Sequence, residues 1–357
     1  MNDNRLPVLW LSGPSGAGKT TVGWELFTSL AAEGIRTGYV DIDQLGMCYA
    51  APARDNWGPE PSSDPGRYRL KAGNLDAVVP NFQTAGARCL VVSGVVDEHG
   101  ADTGLIRRGD LTLCRLRAEP DELRRRIERR GRPEDGLDEI LRYARAVESL
   151  PGACIDTTGH GVAEVLRLVR QRIGDWPGPA RDADPGCDAD PGCDADPGCD
   201  ADPGCDAGPA GAAPAAPATN PGEILWLTGV TGVGKSTVGW QVYYQTRLAG
   251  IRSAFVDLDQ IAFLRPSSTV DSANHRLAAA NLAAVWRAYH SRGAQRLVMV
   301  GPVQHPDQVR LYREALPGAS ITLCRLHASP GTLADRIAAR GRGISPAWGL
   351  AGDELTG

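Results

Sequence analysis

Two stretches of this 357-residue chain end a glycine-rich run on a lysine and a hydroxyl: GPSGAGKT at residues 13–20 and GVTGVGKS at residues 229–236. Both fit the spacing G-x-x-x-x-G-K-[ST]. Glycines so placed let the backbone turn its N–H groups inward around a phosphate, and the positive end of a following helix adds attraction. The phosphate contacts expected in the first stretch are Gly13, Ser15, Gly16, Gly18, Lys19, Thr20 and Thr21. In the second they are Gly229, Thr231, Gly232, Gly234, Lys235, Ser236 and Thr237. Lys19 and Lys235 would reach the outer phosphates, and Thr20 and Ser236 would ligate Mg²⁺. The expected cofactors are therefore ATP and Mg²⁺.

Two carboxylate pairs follow, Asp41 with Asp43 and Asp257 with Asp259. Alternation along a strand puts both members of a D-x-D pair on one side. One carboxylate, Asp41 or Asp257, can hold the metal; the other, Asp43 or Asp259, can orient or deprotonate an acceptor hydroxyl. The second reading of these pairs is helix N-capping, since each directly precedes a Q-L/I start. Arginines form a third element. Arg126 and Arg130 lie one helical turn apart, with Arg336 and Arg340 at the matching places later in the chain. Such a pair can grip the oxygens of a transferring phosphate or simply line a salt-bridged helix. A repeated R-x-x-x-x-N, Arg69 with Asn74 and Arg276 with Asn281, marks the helix expected to meet the acceptor.

These groups recur because the text around them recurs. VLWLSGPSGAGKTTVGWEL answers ILWLTGVTGVGKSTVGWQV, GIRTGYVDIDQL answers GIRSAFVDLDQI, and LTLCRLRAEPDELRRRIERRGR answers ITLCRLHASPGTLADRIAARGR. Five such blocks in one order imply a duplication. Apolar strands alternate with helix-like stretches in each copy, which predicts an α/β fold: tandem domains, each a mostly parallel sheet with helices on both faces. Between them the unit ADPGCD occurs four times and gives way to an Ala/Pro tract. With almost nothing to bury, residues 178–222 are expected to be a disordered linker. The domains are then 1–177, complete, and 223–357, apparently truncated. The first copy alone has a last strand, ACIDTTG, and a last helix, VAEVLRLVRQRI. Residues 1–177 are expected to fold independently, and 223–357 to depend on packing against them.

With the loop, the D-x-D strand end, the R…N helix and the corner at residues 91–94 in place, the sequence resembles the small-molecule kinase branch of P-loop proteins. It is most similar in pattern to adenylyl-sulfate kinase and more distantly to gluconate, shikimate and chloramphenicol phosphotransferases. The resemblance implies that Asp43 is the catalytic or substrate-orienting carboxylate, that Arg126 and Arg130 lie in or before a mobile lid, and that the ribose and purine site follows the last strand, near residues 156–161. D-I-D and D-L-D replace the D-G-D of adenylyl-sulfate kinases, and Ser93 and Val300 stand where such kinases place a metal-binding Asp.

The remaining composition narrows the class. There are 38 basic and 43 acidic residues, nine of the latter within residues 182–206, so the rest is only mildly basic and a nucleic-acid partner is not expected. No stretch reaches the roughly 18–20 apolar residues of a membrane span, no secretion signal opens the chain, and a cytoplasmic protein is expected. The cysteines outside the repeat are scattered, without metal-ligand spacing. The reading that follows is a phosphotransferase moving the γ-phosphoryl group of ATP to the hydroxyl of a small molecule, with the loop at residues 46–67 setting specificity. The alternative is a nucleotide-binding regulatory protein or weak ATPase without an acceptor.

Overall fold

The computed structural model describes residues 5–49, 65–100, 102–129, 136–178, 222–269 and 271–342. Most of the expected linker, most of the specificity loop, Arg130 and everything after Arg342 lie outside them. The first unit contains β1 (Leu6–Ser12), α1 (Lys19–Ala32), β2 (Thr37–Asp41), β3 (Cys48–Tyr49), α2 (Pro65–Thr84), β4 (Cys89–Ser93), β5 (Gly109–Arg117), α3 (Pro120–Glu128), α4 (Leu137–Ala146), β6 (Ala153–Asp156) and α5 (Val162–Ile173). The second contains β7 (Glu223–Thr228), α6 (Lys235–Leu248), β8 (Ser253–Asp257), β9 (Phe263–Arg265), α7 (His275–Ser291), β10 (Arg296–Val300), α8 (Pro306–Ala315), β11 (Ser320–Arg325) and α9 (Pro330–Arg342).

Val8, Leu9, Trp10 and Leu11 of β1 are all fully buried, as a strand covered on both faces requires. The sheet orders are β6-β5-β1-β4-β2-β9 and β11-β7-β10-β8-β3. Every pairing within a unit is parallel. Chain order reverses on either side of β1 and of β7, and both glycine-rich loops sit in the crevice at the carboxyl ends of these strands.

The outer strand of each list belongs to the other unit. β9 pairs antiparallel with β2, Leu264 opposite Gly38 and Arg265 opposite Thr37. Reciprocally, β3 pairs antiparallel with β8, Cys48 opposite Ala254 and Tyr49 opposite Ser253. The registers are equivalent under the sequence repeat, so the two units exchange the same short strand. Phe263 sits among Trp24, Phe27 and Tyr39, with ring centroids 5.0, 6.5 and 6.2 Å away. Met47 packs against the matching cluster of Tyr243, Phe255 and Trp240. Behind the exchange α2 packs on α7, where Asn81 donates to Asn281 Oδ1 at 2.9 Å. One apolar cluster draws from both units, including Val78 and Phe82 of α2 and Leu282 and Tyr289 of α7.

This geometry changes two expectations. Dependence between the units is reciprocal, because the outer edge of β2 is paired by β9 and α2 packs on α7, both of the second unit. The first unit adds its strand at β8, whereas the outer strand on the far side of that sheet is β11. Cys114 in β5 is fully buried beside β6, while its counterpart Cys324 in β11 is exposed. Ile127 is 4% exposed and its counterpart Ile337 is 52%.

Removing the Phe263 ring should therefore loosen the first unit. Phe→Ala in a full core costs about 3–5 kcal/mol, so a loss of roughly 2 kcal/mol is expected at this half-buried position. Hydrogen exchange should accelerate at the β2 amides in Phe263→Ala; unchanged protection of β2 would contradict the exchange.

Candidate active site

The strand–loop–helix turns are built alike. Gly13, Gly16 and Gly18 have φ of 139°, 86° and 94°, and Gly229, Gly232 and Gly234 have 147°, 86° and 100°. A Cβ on Gly13 would sit 2.1 Å from the Leu116 carbonyl oxygen, and one on Gly229 would sit 2.7 Å from that of Leu326. Only glycine lets the loop pass so close to the neighbouring strand. Helices α1 and α6 begin at the lysines themselves. Lys19 Nζ donates to the Pro14 carbonyl at 2.8 Å, and Lys235 Nζ to those of Gly229 and Val230 at 3.0 and 3.2 Å.

The first aspartate of each pair does two jobs. Asp41 Oδ1 accepts the Asp43 N–H at 3.0 Å, capping the turn after β2, and Asp257 does the same for Asp259 at 3.2 Å. Their other oxygens face the loop hydroxyls: Thr20 Oγ1 donates to Asp41 at 3.4 Å and Ser236 Oγ to Asp257 at 3.0 Å. Capping and metal binding are thus compatible. Ser93 Oγ also donates to Asp41 at 3.3 Å and shares a 2.7 Å hydrogen bond with the Tyr39 hydroxyl. Burial, then the charge of Asp43, pushes Asp41 up to about 6; burial, then Asp259, pushes Asp257 up to about 7. Such carboxyls gain from a cation. A hydroxyl and a carboxylate are hard oxygen donors, and Mg²⁺ takes one or two protein oxygens beside those of a phosphate. Thr20 with Asp41, and Ser236 with Asp257, fit that ion.

At the second aspartate the units diverge. Lys71 Nζ, on α2, donates to Asp43 at 2.5 Å; its side chain is 4% exposed, whereas that of Asp43 is 46% exposed. Burial pushes the Asp43 carboxyl up, but Lys71 and then Arg67 outweigh it and leave the group well below the usual carboxylate range. Ala278 replaces Lys71 in the second unit, and Asp259 is raised by burial, countered by Lys235 and His275. Asp259 opens onto a cavity, so solvent tempers that effect. The sequence singled out Arg69 and Arg276, but both are exposed on the outer faces of their helices. Asn74 and Asn281 are buried and donate to the Leu45 and Ile261 carbonyls at 2.6 and 2.7 Å. They pin the turn after each D-x-D pair. The cations of α2 that act on Asp43 are Lys71 and Arg67, which the search for a repeated motif passed over because they occur once.

Arg126 is also a bracing residue. It donates to the Gly16 carbonyl at 3.1 Å, to Thr157 Oγ1 at 3.0 Å and the Thr157 carbonyl at 2.7 Å, and to Glu122 at 2.6 Å. Arg336 donates to the Val233 carbonyl at 3.0 Å. Helix α9 carries the backbone of Arg340. Arg126 thereby ties the loop to the turn after β6, and between them lies a cavity of about 380 Å³ lined by Gly16, Gly18, Thr21, Arg126, Thr157 and His160. This is where a base and ribose are expected from the sequence.

A family model for an AAA domain matches residues 10–146. Among solved structures, the chain is similar to a tunicamycin resistance protein of Deinococcus radiodurans (18% identity, 48% of this chain and 96% of that one, TM-score 0.35). It is also similar to shikimate kinase from Acinetobacter baumannii in complex with shikimate (21%, 47% and 93%, 0.33). A third similar structure is Mycobacterium tuberculosis APS kinase in complex with AMPPNP and APS (16%, 47% and 98%, 0.32). No curated protein matches. The loop geometry, strand order and family match together give an α/β P-loop NTPase-like fold, one that binds nucleotides. No helix among the described residues is long and apolar enough to cross a membrane.

Arg126→Ala should free Thr157 from the loop and open the 380 Å³ cavity. Mg·AMPPNP affinity of the first unit, measured by calorimetric titration, is expected to fall about tenfold, or about 1.4 kcal/mol. Undiminished affinity would show that this cavity does not take part in nucleotide binding.

Proposed function

We propose that the first unit is an ATP-dependent kinase for a small hydroxylated molecule. The observation that supports this best is what gathers around one glycine-rich loop: the base-sized cavity at Gly16–Thr21, the Thr20–Asp41 pair, and Asp43, half open to solvent two residues beyond Asp41. Bound Mg·ATP would supply the phosphoryl group and an ion to neutralise charge growing on it. The loop amides and Lys19 would hold the outer phosphates in line with the acceptor.

Asp43 would accept a hydrogen bond from the acceptor hydroxyl. Held ionised by Lys71, it is a weak base, so its main effect is to aim the hydroxyl oxygen at phosphorus while the proton leaves late. The new bond joins acceptor oxygen to phosphorus, the bond to the bridging oxygen of ADP breaks, and the hydroxyl proton passes to Asp43 or to water. Lys71 and Arg67 also make this end cationic, which favours an acceptor bearing an anionic group. We further propose that the units are domains spanning 1–177 and 223–357, joined by 178–222.

The test is ADP release by the whole chain over a panel of hydroxylated metabolites, acidic ones included. At least one should raise turnover above the acceptor-free rate, and Lys19→Ala should lower that turnover about 10²-fold or more. ATP hydrolysis indifferent to every metabolite would favour a regulatory ATPase. Retained turnover in Lys19→Ala with loss in Lys235→Ala would place the activity in the second unit.

A further inference from the structure

The second unit keeps a phosphate cradle, and the cavity beside it differs from that of the first unit. Among its described residues nothing corresponds to β6, the Thr157 turn or α5. The side of the loop where the first unit builds its base cavity is left with Ile337 and Val238 exposed at 52% and 40%. On its other side the same loop opens into a cavity of about 520 Å³, within the range of small-molecule sites. Thr231, Gly232, Gly234, Lys235 and Ser236 line it together with Asp259, Gln260, His275 and Tyr312.

Two buried groups in this wall lack partners. Gln260 and His275 are each 8% exposed, yet Gln260 Oε1 and His275 Nε2 have no hydrogen-bond partner. A buried polar atom without a partner is destabilising, and such atoms lining a cavity mark where a ligand's polar groups belong. His275 is oriented by a 3.1 Å hydrogen bond between its Nδ1 and the Tyr312 hydroxyl, and burial lowers its pKa, so its ring is neutral near pH 7. Beside it, Asp259 has no counterpart of Lys71 to pair with, since Ala278 occupies that place. These side chains offer a carboxylate, an amide oxygen and a neutral imidazole, a set that suits hydroxyl groups. The loop offers backbone N–H groups and an ammonium, which suit a phosphate.

We infer that the second unit binds a phosphorylated polyhydroxy molecule, its phosphate in the loop at Gly232–Ser236 and its hydroxyls against Asp259, Gln260 and His275. Trp24 of the first unit completes the wall beside Phe263 and Arg265 of the exchanged strand, so the site exists only in the assembled chain. The inference does not depend on turnover in the first unit.

The experiment uses the full-length Lys19→Ala chain, which weakens phosphate binding at the first loop and leaves the second intact. Calorimetric titrations in Mg²⁺ buffer compare inorganic phosphate, glycerol 3-phosphate, ribose 5-phosphate, glucose 6-phosphate and AMPPNP. At least one of the three phosphate esters should bind ten times more tightly than inorganic phosphate and more tightly than AMPPNP. Gln260→Leu and His275→Asn, the latter keeping a partner for Tyr312, should each erase most of that advantage, and Lys235→Ala should abolish binding of ester and phosphate alike. The inference is overturned if no ester exceeds inorganic phosphate, if AMPPNP binds the Lys235-dependent site most tightly, or if the preference survives both wall substitutions.

Discussion

Everything in this molecule hangs on two short antiparallel pairings, β9 on β2 and β3 on β8. An edge strand presents unpaired N–H and C=O groups that must be covered or kept soluble. Here each unit covers the inner edge of the other with a strand of two or three residues. Those strands begin only a few residues beyond Asp43 and Asp259, so each of these carboxylates is tethered to a segment anchored in the opposite unit. Asn74 and Asn281 pin the intervening turns from α2 and α7, the same helices that form the interface. Folding of the pair and placement of these carboxylates are therefore one problem.

Symmetry in the frame makes the asymmetry of the sites informative. The loops superpose angle for angle, and both first aspartates cap their turns and face the loop hydroxyl. On the base side, Arg126 reaches across to Thr157, while Arg336 has only its own loop to brace. On the acceptor side, Lys71 holds Asp43, while Ala278 leaves Asp259 facing a cavity. Gln44 Oε1 and its counterpart Gln260 Oε1 are both buried without a partner, whereas the unpartnered His275 Nε2 occurs in the second unit, where Tyr68 is its counterpart. Substitutions at a few positions on a common scaffold give the two loops different surroundings.

Much of this was legible in the sequence because it is local. The glycine-rich loops, the parallel strands and the D-x-D turns depend on neighbours within a few residues, and repetition of each pattern doubled the signal. What escaped was set by distance or occurred once. Residues 48–49 and 263–265 are too short to show alternation, and their partners lie some two hundred positions away. Lys71 and Arg67 carry no repeat, so a search for repeated polar residues favoured Arg69 and Asn74, one of which proved exposed and the other structural. Arg126 was found by its spacing, but its direction toward Gly16 and Thr157 depends on how β6 docks beside β5, which no helical spacing reveals.

The central claim is that the two units fold as one because each completes the other's sheet. Scanning calorimetry of the whole chain tests it most directly, by comparing the calorimetric with the van't Hoff enthalpy of unfolding. A single transition with a ratio near one is expected, and Mg·AMPPNP binding to the first unit should shift the whole of it upward. Two resolved transitions, only one of which moves with the nucleotide, would contradict the account.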